Sequence, residues 1–196
     1  MGSIFSIPWE YNGHMLTNFS MVPIHANLLL TEIRPGDEKL LVEYMQDKEI
    51  YDATLRIPFP YTSADATWWV EYNQGLSAKE KILNWAIRDG QGNMMGGIGF
   101  NSDFEIGQTH KSEIGYWLGK KHWGKGIMTL ALRKVCEIGF GPFHLIRISA
   151  NVMDFNKGSC RVLEKAGFTL EGTLKSYYRK DEKISDGKLY GRVKSL

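Results

Sequence analysis

The residues best able to do chemistry in this 196-residue chain lie between Glu113 and Ile127. An apolar, aromatic run, Ile114-Gly115-Tyr116-Trp117-Leu118, reads as a strand; a basic loop follows, Lys120-Lys121-His122-Trp123-Gly124-Lys125-Gly126, and Ile127-Met128-Thr129-Leu130 opens a helix. A strand, a glycine corner and a helix start aim several backbone N–H groups at one point, at the positive end of the helix dipole. That point suits a phosphate or diphosphate. Glycine serves where the backbone must approach the anion or take a conformation that a Cβ forbids. Lys120, Lys121 and Lys125 add positive charge around it.

Two nucleotide motifs fit poorly. Gly119, Gly124 and Lys125 match G-x-x-x-x-G-K, but Gly126 stands where a Ser or Thr must ligate magnesium. As a dinucleotide fingerprint, Gly124-x-Gly126 has Thr129 in place of its third glycine, and too little chain follows for a doubly wound domain. Lys121 to Gly126 resembles instead the [Gln/Arg]-x-x-G-x-[Gly/Ala] loop of the GNAT acyltransferases, with Lys121 replacing the usual Gln or Arg. The segment EIGYWLGKKHWGKGIMTLAL resembles the form found in the RimJ/RimL type, the ribosomal-protein N-terminal acetyltransferases and their relatives. Asn156 to Phe168 resembles that family's second signature, an N-x-x-S helix start closing on Gly-Phe, while LLLTEIRPGD and IPFPYTSADATWWVEY resemble its first strand and substrate-side helices. The resemblance covers residues 28–196, leaving 1–27 as an N-terminal extension expected to pack on the domain; its aromatics Phe5, Trp9, Tyr11 and Phe19 suit packing there or against a second subunit.

What the resemblance implies is an α/β (α+β) GNAT fold, a mixed central sheet splayed at the coenzyme site and flanked by helices. It also implies an N-acetyltransferase that uses acetyl-CoA as co-substrate. Lys121, His122, Trp123, Gly124, Lys125, Gly126 and Ile127 would hold the coenzyme diphosphate, and the strand ending in Trp117 and Leu118 would pair with the pantetheine arm. A free N–H near Leu118 would face the oxyanion, where preorganised donors count most. Asn156 would bond the pantetheine, and Ser159 would place a hydroxyl near the thioester sulfur. A thiol leaving group of pKa about 8.5 needs only a weak acid. The plainer alternative is that Asn156 and Ser159 only cap the helix.

Strand alternation puts Glu113, Gly115 and Trp117 on one face and Ile114, Tyr116 and Leu118 on the other. Glu113 stands where many GNAT relatives carry a glutamate, so the resemblance makes it the candidate base, acting through a water because Leu118 is five positions away along the strand; the plainer alternative is an ordinary edge carboxylate. Some relatives carry a carboxylate a few residues beyond Leu170-Glu171-Gly172, where this chain has Tyr177 and Tyr178. Phe59, Tyr61, Trp69 and Tyr178 are candidates for the acceptor groove, with Trp68 and Tyr72 nearby. The acceptor is expected to be a protein N-terminal α-amine or a small-molecule amine. A non-catalytic acyl-CoA sensor or interaction module on the same fold is the alternative.

Composition narrows the field. With 43% hydrophobic and 23% charged residues the chain is an ordinary soluble domain, and a net charge of +2 makes no case for nucleic acid, except through ribosomal protein substrates, or for an anionic membrane. Cys136 and Cys160 lie far apart with no zinc-type histidine spacing, so no metal is expected, and they read as buried reduced thiols of a cytoplasmic protein. The chain is expected to be a monomer or homodimer. Periodicity and breakers predict strands at 28–34, 82–88, 94–100, 113–118, 144–152, 168–172 and 188–193. Helices are expected over 37–46, 63–74, 127–140 and 156–165, with Asp37, Thr62 or Ser63, and Asp154 or Asn156 as caps. Lys175, Arg179, Lys180 and Lys183 read as a solvated basic face.

Overall fold

The computed structural model describes residues 19–77, 83–101 and 109–195. Its strands are β1 (Met21–His25), β2 (Leu28–Thr31), β3 (Asn84–Asp89), β4 (Met94–Phe100), β5 (Lys111–Leu118), β6 (Arg147–Met153), β7 (Thr169–Lys180) and β8 (Lys183–Val193). They form one 8-stranded sheet in the order β1-β2-β3-β4-β5-β6-β8-β7. Neighbours are antiparallel except β5 and β6, whose parallel pairing covers only Lys111–Glu113 against Arg147–Ser149. Beyond that point the two central strands part, and the sheet is split at its middle.

Two cores cover its faces. Helix α4 (Ile127–Phe140) and helix α5 (Lys157–Lys165) enclose Ile98, Ile114, Leu118, Leu132, Val135, Ile148 and Leu163. On the other face α1 (Glu38–Met45) and α3 (Ser63–Ser77), with the short α2 (Lys48–Asp52) between them, enclose Leu41, Tyr44, Val70, Ala86 and Met94, with Trp117 packed against them. The alternation of β5 therefore divides its side chains between the two cores as expected: Ile114, Tyr116 and Leu118 to α4 and α5, Trp117 to the α1–α3 side.

A buried ion pair fixes α1 to the sheet. The Arg88 guanidinium, 2% exposed, donates to both Asp37 carboxylate oxygens at 2.7 Å and to Thr31 Oγ1 at 2.6 Å. Asp37 does precede α1, but its side chain makes no cap bond; it takes Arg88 and the Arg34 N–H instead. At α3 the expected cap is present, because Thr62 Oγ1 accepts from Asp65 N–H while Asp65 accepts from Thr62 N–H. Asn156 caps α5 through Ser159 N–H at 3.0 Å.

The structure departs from the sequence reading at three places. The closing strands are far longer than 168–172 and 188–193, because β7 continues through two register shifts, around Gly172 and between Leu174 and Tyr178. At the second shift Ser176 takes φ 49°, held by the Asp186 carboxylate, which accepts its N–H at 2.9 Å. The basic face is not simply solvated: Lys175 pairs with Asp186, and Lys180 Nζ donates to the Tyr51 and Thr54 carbonyls at the end of α2. Within 1–27, Met21–His25 forms an edge strand, and the Phe19 ring meets Phe143 edge-on at 5.4 Å. Phe5, Trp9, Tyr11 and the expected strand residue Ile82 lie outside the described residues.

Candidate active site

The candidate site lies at the split between β5 and β6. Asn101 N–H bonds Glu113 O and Gly119 N–H bonds Met95 O, so the backbone groups of Glu113, Gly115, Trp117 and Gly119 face β4. Those of Tyr116 and Leu118 then face the gap, where no strand pairs with them among the described residues. The Leu118 carbonyl is taken by the Trp123 indole at 2.6 Å. Its N–H lies on the same edge.

At the end of β5 the chain turns through Lys120–His122, a single 3-10 turn, into the glycine corner. Gly124 and Gly126 have φ 74° and 76°, a region that L side chains rarely enter, and a Cβ at either would meet no atom within 4 Å. Gly126 precedes α4 without a side-chain cap. Leu130 N–H makes the bond to Gly126 O, so the amides of Ile127, Met128 and Thr129 point outward at the positive end of the helix. The corner is open and made of donors.

The lysines are arranged less simply than their spacing suggested. Lys120 pairs with Glu49, while Lys121 pairs with Glu43 at 3.0 Å and lies over the Tyr44 ring at 4.9 Å. Both charges are turned toward α1 and α2. Lys125 has no ion pair among the described residues. His122 Nε2 lies 3.3 Å from Tyr44 Oη, whose hydroxyl donates to Met94 O. Partial burial, then the charges of Lys121 and Lys125, hold the His122 pKa below its usual value, so the ring is neutral at neutral pH.

Ser159 and Tyr116 meet across the α5 face of the gap, their hydroxyl oxygens 2.7 Å apart. Burial raises the Tyr116 pKa, with the Ser159 bond acting weakly against it, so the phenol keeps its proton. Tyr116 was not among the sequence candidates. The available signal was its place on the same strand face as Leu118, toward the helix that begins at Asn156. The Asn156 carbonyl is engaged as the cap, so the capping role is present whatever else the residue does.

On the opposite face, Glu113 accepts a hydrogen bond from Asn151 Nδ2 at 2.9 Å. Asn151 Oδ1 is buried without a partner among the described residues. Burial, and then the Glu113 charge, push the Tyr178 hydroxyl pKa up to about 12. Asn151 too was missed by the sequence reading; nothing local marks it, since its partner lies on another strand. Glu113 and Ser159 thus stand on opposite faces of the sheet, and the split connects the faces. Of the acceptor-groove aromatics, Tyr61 is 7% exposed and belongs to the α1–α3 core, a packing position. Trp69 packs partly into the same core and stacks on Tyr72 at 5.8 Å, while Phe59 is exposed against Tyr51 at 5.0 Å.

Residues 27–169 match the Acetyltransferase (GNAT) domain family. The uncharacterized N-acetyltransferase p20 of Bacillus licheniformis is 30% identical over 169 residues, spanning 85% of this chain and 93% of that protein. The ribosomal protein uS5-alanine N-acetyltransferase of Escherichia coli (strain K12) is 37% identical over 81 residues, 41% of this chain and 42% of that one. Among solved structures, the microcin C7 self immunity acetyltransferase MccE, in complex with acetyl-CoA and AMP, aligns with a TM-score of 0.76 at 25% identity, over 91% of this chain and 98% of its own. A domain match over most of the chain, together with a relative matched nearly end to end, shows that this protein belongs to the GNAT family and is an N-acetyltransferase.

Proposed function

We propose that the protein transfers acetyl directly from acetyl-CoA to a primary amine, either a protein N-terminal α-amine or a small-molecule amine. The observation that carries this reading is the unpaired β5 edge at Tyr116 and Leu118, leading straight to the donor-lined corner at Gly124–Ile127. A diphosphate fits that corner because glycine φ values aim amides outward and no side chain fills it. The relative that acts on ribosomal protein uS5 supports a protein N-terminus, and MccE supports acetyl-CoA as donor. No described helix is long and apolar enough to cross a membrane, and the buried free thiols Cys136 and Cys160 suit a cytoplasmic setting.

Acetyl-CoA supplies an acyl carbon with a thiolate leaving group, so that a C–N bond forms as the C–S bond breaks. The amides of Ile127, Met128 and Thr129, with Lys125 and His122 beside them, hold the diphosphate. Tyr116 and Leu118 align the pantetheine along β5, with Asn156 at its far side, and the Leu118 N–H meets the charge that develops on the acyl oxygen. Glu113 takes the amine proton through a water; an α-amine of pKa about 8 gives it up readily. The Tyr116–Ser159 hydroxyl pair gives the departing thiolate a proton and recovers one from solvent.

Calorimetric titration with acetyl-CoA, followed by a thiol-release assay over peptides with different N-terminal residues and over small amines, tests the proposal. Coenzyme binding with acceptor-dependent thiol release is expected. Binding without release against every amine would make the protein an acyl-CoA sensor. Gly126→Val should weaken acetyl-CoA by about tenfold or more, since holding a side chain at positive φ costs roughly 1–3 kcal/mol. Unchanged affinity would remove the corner from the coenzyme site.

A further inference from the structure

Gly115 sits in the middle of β5, an interior strand, yet it is exposed. A Cβ built on it would meet no atom within 4 Å, and its φ is not in the left-handed region. Neither backbone conformation nor packing among the described residues asks for glycine there. The contrast is next door on β4, where a Cβ at Gly96 would come within 2.5 Å of the Trp117 carbonyl and one at Gly97 within 2.7 Å of the Trp117 indole nitrogen. Those glycines are crowded out of having side chains; Gly115 is not.

The space that Gly115 leaves has chemically marked walls. Glu113 and Trp117 flank it on the same strand face. Across the split, Asn151 lies on β6 two residues beyond Ser149, the last residue to pair with β5. Asn151 reaches Glu113 at 2.9 Å and keeps its own carbonyl oxygen buried without a partner, the mark of a place where a donor is missing. Tyr178 stands close enough to feel the Glu113 charge.

We propose that Gly115 is a specificity-determining residue for the acceptor: the amine and the carbon that bears it lie directly on the Gly115 backbone, between Glu113 and Trp117, with Asn151 holding the carboxylate that faces them. The acceptors selected are primary amines whose amine-bearing carbon is slim enough to touch the sheet. This deepens the direct-transfer reading and rests on it.

A size series, Gly115→Ala and Gly115→Val, tests the idea with the acceptor that releases thiol fastest. Acceptor KM should rise about tenfold for Ala and more for Val, in line with the 10–200-fold that one methylene commands in a fitted pocket. Acetyl-CoA affinity should stay within about twofold, and Tm of the Ala variant should equal or exceed wild type, because Gly is a poor strand residue. Unchanged acceptor KM in both variants overturns the proposal. A coenzyme affinity that falls in step would give the space to the thioester arm instead, and a lowered Tm for the Ala variant would make the glycine structural; either result also overturns it. Absence of thiol release by the wild type with every amine sinks this proposal and the transfer reading together. Release by the wild type with untouched kinetics in Gly115→Val sinks this one alone.

Discussion

Along its β4 edge, β5 is paired at five consecutive positions, Ile114 to Leu118 against Phe100 to Gly96; along its β6 edge, pairing covers Lys111 to Glu113 and stops. The first seam is closed by glycines with no room for a side chain, the second opens beside a glycine whose Cβ would meet no atom within 4 Å. One strand is thus locked on one side and idle on the other. On the proposed reading the locked side also holds the idle amides of Tyr116 and Leu118 still, so that they would need no reorganisation when charge develops nearby. Rigidity and reactivity are two edges of the same strand.

The largest effect should come from loosening the locked half. Asp37→Ala strands the Arg88 guanidinium in the core with its main partner gone, which costs about 3–5 kcal/mol for a buried pair. Urea unfolding should show that loss, while Asp37→Leu with Arg88→Met should recover much of it, since a packed apolar pair replaces a satisfied ionic one at little cost. A wild-type midpoint for Asp37→Ala would mean that the ion pair does not hold α1 to β3.

Gly96→Ala strikes the closed seam directly. Its Cβ meets the Trp117 carbonyl at 2.5 Å, a backbone atom that cannot step aside, so a loss of about 1–3 kcal/mol is expected. Gly115→Ala, on the neighbouring strand but with open space for its Cβ, should show no loss in the same melt. If both alanines destabilise equally, the two seams do not differ as described.

Much of this architecture is visible in the sequence because it is local. The helix at Ile127–Phe140, the Met94–Phe100 strand and the glycine corner each declare themselves within a dozen residues. So does the division of β5 between two cores, which follows from a period of two. Several side-chain partnerships are not local, because their partners lie far apart in the chain. The Lys120 and Lys121 side chains are taken by Glu49 and Glu43, 71 and 78 residues earlier, which no local pattern announces. Asn151 reaches Glu113 across 38 residues, and Tyr116 reaches Ser159 across 43. The extent of β7 was hidden for another reason: its bulges break the alternation that announces a strand. Helix α2 has five residues, too few to establish a period.

On the open seam, Ser159→Ala should lower kcat by roughly tenfold, at the weak end of general-acid effects, and leave coenzyme affinity within about twofold. Tyr116→Phe should do the same, and the double variant should be no slower than the worse single one, because two hydroxyls that pass one proton fail together. Multiplying effects would show that they act separately. Full activity in Ser159→Ala would leave that residue a helix-start side chain and nothing more.

The smallest effect concerns pH and sits where the two seams meet. His122 is neutral against Tyr44, and burial and neighbouring lysines depress its folded pKa below 6.5. As pH falls through about 6.5 the unfolded chain binds a proton that the folded chain refuses, so this contribution to stability is present above the unfolded value and is lost as pH falls through the folded one. Thermal melts should therefore slope downward between pH 7 and 5 more steeply for wild type than for His122→Gln, which has no such proton to bind. An anion at the glycine corner favours the imidazolium, so saturating inorganic pyrophosphate should flatten the wild-type slope toward that of the variant. A slope indifferent to both the substitution and the anion would place His122 outside the field of the corner, and the locked and idle edges of β5 would then end without an electrostatic link between them.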